Sequence, residues 1–260
     1  MDTHSAKTAD SDQKETGNRE RGIDRVLKLF AFLNEYNQPV RVADLPKALN
    51  APRSTTYELV RALTEAGLLE VNSRDNKVFF GKLMYLYGIN YVRENDLVRR
   101  GSEEVDRLSK ETGETSELCM LYRNRQAIIH ASPGSRPMRI SSEIGAQIPI
   151  PWTASGRLLL AHMDEAEIRD LIAPDDLVLP NKKVISIEDF LQSCAGARGQ
   201  NLVTTHGLIN SFTQCFAAPI YGMSGHVEAT ICFVLPVDIS EEQSEFLKSQ
   251  LIASGRRLSV

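Results

Sequence analysis

The sequence is short of what several protein classes require. In 260 residues it has one tryptophan, four cysteines and five histidines. Cys119, Cys194, Cys215 and Cys232 form no C-x-x-C pair and lie among apolar residues. That spacing argues against a disulfide framework or a zinc finger and reads as buried, reduced thiols. His130, His162 and His206 sit in unrelated segments without metal-ligand spacing, so no metal and no cofactor are expected. No apolar run approaches the roughly 20 residues that span a bilayer, so no membrane partner is expected. Residues 1–20 are polar, without the apolar core of a secretory signal, and read as a disordered tail of a cytoplasmic protein.

What is present is ordinary for a globular chain. Hydrophobic residues make up 42% and charged residues 25%, enough for a sizeable core in one large domain or two ordinary ones. The net charge of -4 is unevenly spread: residues 21–100 carry +4 and residues 101–260 carry -6. A basic N-terminal unit on an acidic C-terminal one fits an anion-binding module joined to a unit that does not bind polyanions.

Ile23, Val26, Leu27, Phe30 and Leu33 recur at helical spacing and predict a first helix over residues 23–36. Leu45, Ala48 and Leu49 predict a short second helix, with Asp44 as N-cap and Pro46 in the first turn. After the turn "NAP", Pro52 opens a third helix whose buried stripe is Leu59, Val60 and Leu63 and which Gly67 stops. "LLEV", "NSRDN" and "KVFF" then read as a hairpin. Three helices and a hairpin form a winged helix-turn-helix pattern over residues 21–81.

With that stripe inward, the opposite face of the third helix carries Arg53, Ser54, Tyr57, Glu58 and Arg61, with Thr55 beside it. Guanidinium groups pair with phosphate or with guanine O6/N7, and the hydroxyls donate to phosphates and base edges. Arg74, Asn76 and Lys77 at the hairpin tip are placed to reach the adjoining backbone. The partner predicted is a double-stranded DNA operator. Against this stands a solvated amphipathic helix with ordinary surface charges, or a winged helix that contacts protein.

Residues 82–101 read as a linker helix, broken near Asn95, whose Tyr85, Tyr87 and Tyr91 stripe packs on its own domain or on a second subunit. Residues 102–260 read as an α+β domain. Its expected strands are "SELCMLY", "QAIIHAS", "MRISSEI", "FTQCFAAPIY" and "VEATICFVLP". Its expected helices are "ASGRLLLAHMDEAEIRDLIA", "IEDFLQSCAGARGQN" and "SEEQSEFLKSQLIASGRRL". Ser240 with Gln243 resembles a capping box for the last of these.

The chain resembles the IclR family of bacterial transcriptional regulators. The likeness rests on "DLPKALNAPRSTTYELVRALTEAGLL" with "KVFFGKLMYLYG", on "IPIPWTASGRLLLAHMDEAE", and on "CFAAPIYGMSGHVEATICFVLP", in that order and spacing. It implies a winged helix-turn-helix domain, a linker helix and a GAF-like α+β domain that binds a small organic effector. The N–H groups of the helix starting near Ser155 would favour a carboxylic acid and the Trp152 ring would wall an organic ligand, so a carboxylic acid or an aromatic is expected. The resemblance also implies a homodimer or homotetramer on the operator. By matched position it nominates Leu118, Met120, Trp152, Thr153, Ala154, Ser155, Gly156, Cys215 and Ala217 for the effector pocket. His206 stands where the family often has Glu and is assigned to the pocket rim. Glu58 stands where Arg is common, and Arg157 where Lys is usual.

Ser155 in "TASGR" is not read as a nucleophile. The G-x-S-x-G elbow needs glycine where Thr153 stands. Ser155 is instead expected to cap the following helix. No catalytic constellation is evident, so a regulator without enzymatic activity is expected. A small-molecule enzyme using the C-terminal pocket and a non-DNA-binding interaction module remain the alternatives.

Overall fold

A computed structural model describes residues 22–136, 140 and 142–260. The predicted tail lies outside them, as do Met138, Arg139 and Ser141 of the predicted strand "MRISSEI"; its described residues, Ile140 and Ser142 to Ile144, form no strand, and Ile144 already lies in a turn. The described residues fall into two compact units, divided between Tyr91 and Val92.

The first unit runs α1 (Gly22–Tyr36), β1 (Val40–Arg41), α2 (Leu45–Ala48), α3 (Arg53–Glu65), β2 (Leu69–Val71) and β3 (Lys77–Phe80). Its three antiparallel strands lie in the order β1-β3-β2. Leu29, Leu33, Leu45, Val60, Leu63, Leu69 and Val78 form the core. On α1 the buried face is Leu29 and Leu33, flanked by Val26 and Phe30, while Ile23 and Leu27 are 65% and 61% exposed. The expected stripe is thus rotated. Apolar residues encircle much of α1, and a three-helix unit covers only one side of it. Asp44 precedes α2 without a side-chain cap hydrogen bond, contrary to expectation. Gly67, at φ +75°, ends α3 in the left-handed conformation that a Cβ disfavours.

α4 (Lys82–Glu94) follows, and Asn95 breaks the chain as expected by capping α5 (Asp96–Thr112) at Val98 N. α5 belongs to the second unit, so that unit starts about ten residues earlier than residue 102. Its strands are β4 (Thr115–Tyr122), β5 (Arg125–Ser132), β6 (Gln147–Pro149), β7 (Val203–His206), β8 (Thr213–Tyr221) and β9 (Val227–Pro236). They form one antiparallel sheet in the order β6-β5-β4-β9-β8-β7. The edge strands β6 and β7 escape the sequence pattern because each has only three or four residues.

Helices cover both sheet faces. α5 and α9 (Glu241–Leu258) bury Val105, Leu108, Leu247 and Leu251 against Leu118, Phe216, Ile231 and Phe233. On the other face α6 (Ala154–Leu160) places Ala154, Leu158 and Leu159 on Cys119, Ala217 and Cys232, with α8 (Ile187–Ala197) behind it. The predicted long helix from "ASGR" to "DLIA" is two helices, α6 and α7 (Glu165–Leu171), because Asp164 starts a new one with a full capping box at Glu167. Ser240 caps α9 at Gln243 N, but the Gln243 side chain donates to Glu114 instead of closing a box.

Candidate functional site

The α3 surface comes from local sequence. Thr56 turns its hydroxyl onto the Pro52 carbonyl and Thr64 onto that of Val60, so both hydroxyls are used within the helix. Val60 and Leu63 face the core and Leu59 is half-buried. Arg53, Ser54, Tyr57, Glu58 and Arg61 are exposed together; Thr55 is half-buried. Arg61 pairs at 3.6 Å with Glu65 one turn on. Arg74 and Asn76 are exposed at the tip of the β2–β3 hairpin, where Asn76 adopts φ +54°. Lys77 is half-buried and lies 3.7 Å from Asp75. A groove of about 300 Å³ runs between this helix and the hairpin, lined by Tyr57, Arg61 and Asn76 among others.

The second unit holds a cavity of about 390 Å³ between the sheet and the start of α6. Trp152 and Thr153 form one wall, Glu117 and Gln126 the sheet side, and Gln214 and Cys215 the far side. The loop after β7 contributes Gly207 to Asn210. The Trp152 indole donates to the Asp176 carbonyl at 2.8 Å, which fixes the ring. Thr153, not Ser155, caps α6: its hydroxyl accepts from Gly156 N at 2.9 Å. Gly156 is required there, since a Cβ would fall 2.2 Å from the Ile150 carbonyl oxygen.

Of the expected effector residues, Trp152, Thr153 and Cys215 line the cavity. Leu118 and Met120 do not. They point to the opposite face and pack with the α5–α9 layer, because alternate strand residues face opposite sides and the register puts Glu117 and Cys119 on the α6 side. Ala154, Ser155 and Gly156 are buried within α6, and Ala217 is buried beneath it. His206 is exposed, and its neighbours Thr205 and Gly207 line the cavity in its place. The family positions that nominated Leu118 and Met120 lie one residue off the strand parity that faces the pocket.

Glu117, Gln126 and Gln214 were missed. A carboxylate inside an apolar strand pattern, "SELCM", was the available signal. Glu117 is buried, and burial, reinforced by Cys232, pushes its carboxyl up to about 8. At neutral pH it is largely protonated. Ser142 donates to one of its oxygens. The Cys119 thiol is pushed up by its contact with Cys232 and by burial. Among the described residues lining the cavity none is Lys, Arg or His.

Comparison with known proteins decides the family. Residues 89–260 match the C-terminal domain of bacterial transcriptional regulator IclR, and residues 22–73 match the IclR helix-turn-helix domain. The chain belongs to the IclR family. It is a helix-turn-helix transcriptional regulator with a C-terminal α+β effector domain. The HTH-type transcriptional regulator XynR of Escherichia coli is 23% identical over 92% of this chain and 96% of its own. KdgR of the same organism is 23% identical, covering 92% of each. An IclR regulator from Alicyclobacillus acidocaldarius superposes with a TM-score of 0.80 at 18% identity, over 92% of this chain and 97% of its own. An IclR homologue from Microbacterium hydrocarbonoxydans, solved with 4-hydroxybenzoate, has a TM-score of 0.76 at 21% identity, over 92% and 98%. Among the described residues no helix is long and apolar enough to cross a membrane.

Proposed function

We propose that α3 reads operator DNA in the major groove while the β2–β3 hairpin follows the backbone, and that a small organic metabolite in the α6-side cavity changes this binding. The observation that carries the reading is the pairing of an exposed Arg/Ser/Tyr face on α3 with a separate cavity in the second unit. The cavity volume and the fixed Trp152 wall suit a ring-sized ligand. A largely protonated Glu117 can donate to a carboxylate, so a carboxylic acid and an aromatic metabolite both fit the sheet side. The 4-hydroxybenzoate in the Microbacterium homologue combines those two features.

Catalysis is not part of this reading. Ser155 is buried inside α6 rather than presented at a strand-to-helix elbow. A second copy of the chain is part of it. α4 buries none of its residues and exposes Tyr85, Leu86, Tyr87, Ile89, Tyr91 and Val92. Two such surfaces pairing would place two α3 helices on two half-sites, and an operator bound in this way places the protein in the cytoplasm. The test is a thermal-shift screen of the full chain against carboxylic acids and aromatic metabolites, with hits added to mobility shifts on genomic fragments. A ligand that binds only the native state raises its apparent stability. Hits that leave every DNA complex unchanged would refute the coupling.

A further inference from the structure

The register of the sheet builds a side-chain cluster that shares only Glu117 with the effector reading. Glu117 and Cys119 are two apart on β4 and share its α6 face, and β9 places Cys232 opposite Glu117. One carboxylate oxygen of Glu117 lies 3.6 Å from Cys119 Sγ and 3.5 Å from Cys232 Sγ, and the two sulfurs are 3.8 Å apart. All three residues are buried, and their ligand atoms lie within 4.8 Å of one another. A tetrahedral zinc ion, with bonds of about 2.3 Å to sulfur and about 2.0–2.2 Å to oxygen, sets edges of about 3.8 Å between sulfurs and about 3.5–3.7 Å between sulfur and oxygen. The triangle already has the dimensions of one face of that tetrahedron.

The surroundings match a metal site as well as the triangle does. Ser142 donates to the other oxygen of Glu117, which leaves the first aimed at the sulfurs. The Gln126 amide donates to Cys119 Sγ at 3.3 Å, the kind of outer contact that orients a thiolate ligand. Cys215, on the cavity wall, contacts Cys232 as well. Glu117 and Cys215 both line the cavity, which provides a path inward.

We propose that the second unit binds one thiophilic divalent cation, of the zinc class, through Glu117, Cys119 and Cys232. The fourth position faces the cavity and takes water or Cys215. Binding displaces the thiol and carboxyl protons, and the sulfur ligands select zinc or cobalt over magnesium or calcium. A Glu117 carboxylate bound to the ion has no proton to donate, so the ion and a carboxylic acid held by Glu117 exclude one another.

The test uses the full chain, stripped of metal under a phosphine reductant and titrated anaerobically with Co2+. One ion per chain is expected, with an intense thiolate-to-cobalt charge-transfer band that Zn2+ removes. Cys119→Ser and Cys232→Ser should each abolish the band, and Cys194→Ser, in the separate cluster around Phe190, should keep it. Where a cysteine variant fails to fold by circular dichroism, Gln126→Ala decides. It keeps all three ligands, removes the contact to Cys119 Sγ and should weaken cobalt binding about 10–100-fold. Absence of the band in the wild type overturns the proposal, as does a band that survives in folded Cys119→Ser or an affinity unchanged in Gln126→Ala. The thermal-shift response to organic ligands is read separately, so failure here leaves the effector reading standing.

Discussion

Arg53 and Arg61 lie on one face of α3 and should fail differently. Arg53 is in the first turn, where helix-turn-helix readers meet base edges; Arg61 is two turns on, nearer the backbone. Arg53→Ala is expected to relax preference at one position of each half-site, costing about 1–3 kcal/mol against the correct base. Arg61→Ala is expected to lower affinity for all sequences equally. Glu58, three residues back, stands at ion-pair spacing on the helix, but the structure pairs Arg61 with Glu65. The control is therefore Glu65→Ala with Arg61→Ala, with binding to an operator-variant library read for each protein. A uniform loss in Arg53→Ala would reverse the docking of the helix. In the second unit Thr153→Ala removes the α6 cap and should cost about 1 kcal/mol in urea unfolding. Ser155→Ala removes no cap and should cost less. Ala217→Phe, which the family positions would offer as a cavity filler, should instead overpack the sheet beneath α6 and destabilise the unit by about 1–3 kcal/mol.

α5 and α9 are clasped by charge as well as by their apolar layer. Glu104 on α5 accepts from Arg107 on its own helix and from Arg257 on α9. Burial alone would raise its carboxyl, but the hydrogen bonds from Arg107, Ser254 and Arg257 pull it down to about 2, from an ordinary 4.5. Because the folded state holds the carboxylate at the lower value, its contribution to stability is complete above pH 4.5 and is lost as pH falls towards 2. Glu104→Gln should cost on the order of 1–3 kcal/mol at neutral pH. The gap to wild type should then close between pH 4.5 and 2 in urea melts. A gap that stays constant over that window would mean the carboxylate's charge plays no part in the clasp. In the first unit the hairpin is tested through Lys77→Ala. Loss of one phosphate contact should reduce the salt slope of operator binding by about one; an unchanged slope removes the hairpin from the interface.

At the scale of the whole molecule the proposed assembly rests on the exposed apolar face of α4. The Tyr85, Leu86, Tyr87, Ile89 and Tyr91 surface is the place expected to meet a second copy. The full chain should sediment as a dimer or larger, and Leu86→Asp with Ile89→Asp should shift it to monomer and weaken operator binding. Neither residue is buried, so the fold itself should survive. A double variant that keeps both assembly and affinity would place the subunit contact elsewhere.

The sequence by itself determined the three helices and hairpin of the first unit, the break at Asn95 and the long strands β4, β5, β8 and β9. In each of these, periodicity and local turn chemistry point the same way over many residues. It also determined which α3 residues are exposed, because the helical period is local. The tertiary structure decided what local pattern leaves open. Strand parity, set by pairing across the sheet, turned Leu118 and Met120 away from the cavity and Glu117 towards it. Backbone approach at Gly156 made Thr153 the cap. Cys119 and Cys232 stand more than a hundred residues apart in a chain with no C-x-x-C pair, and only the β4–β9 register brings them into contact. A cluster assembled from alternate positions of neighbouring strands has no fixed spacing along the chain, so sequence reading passes it over.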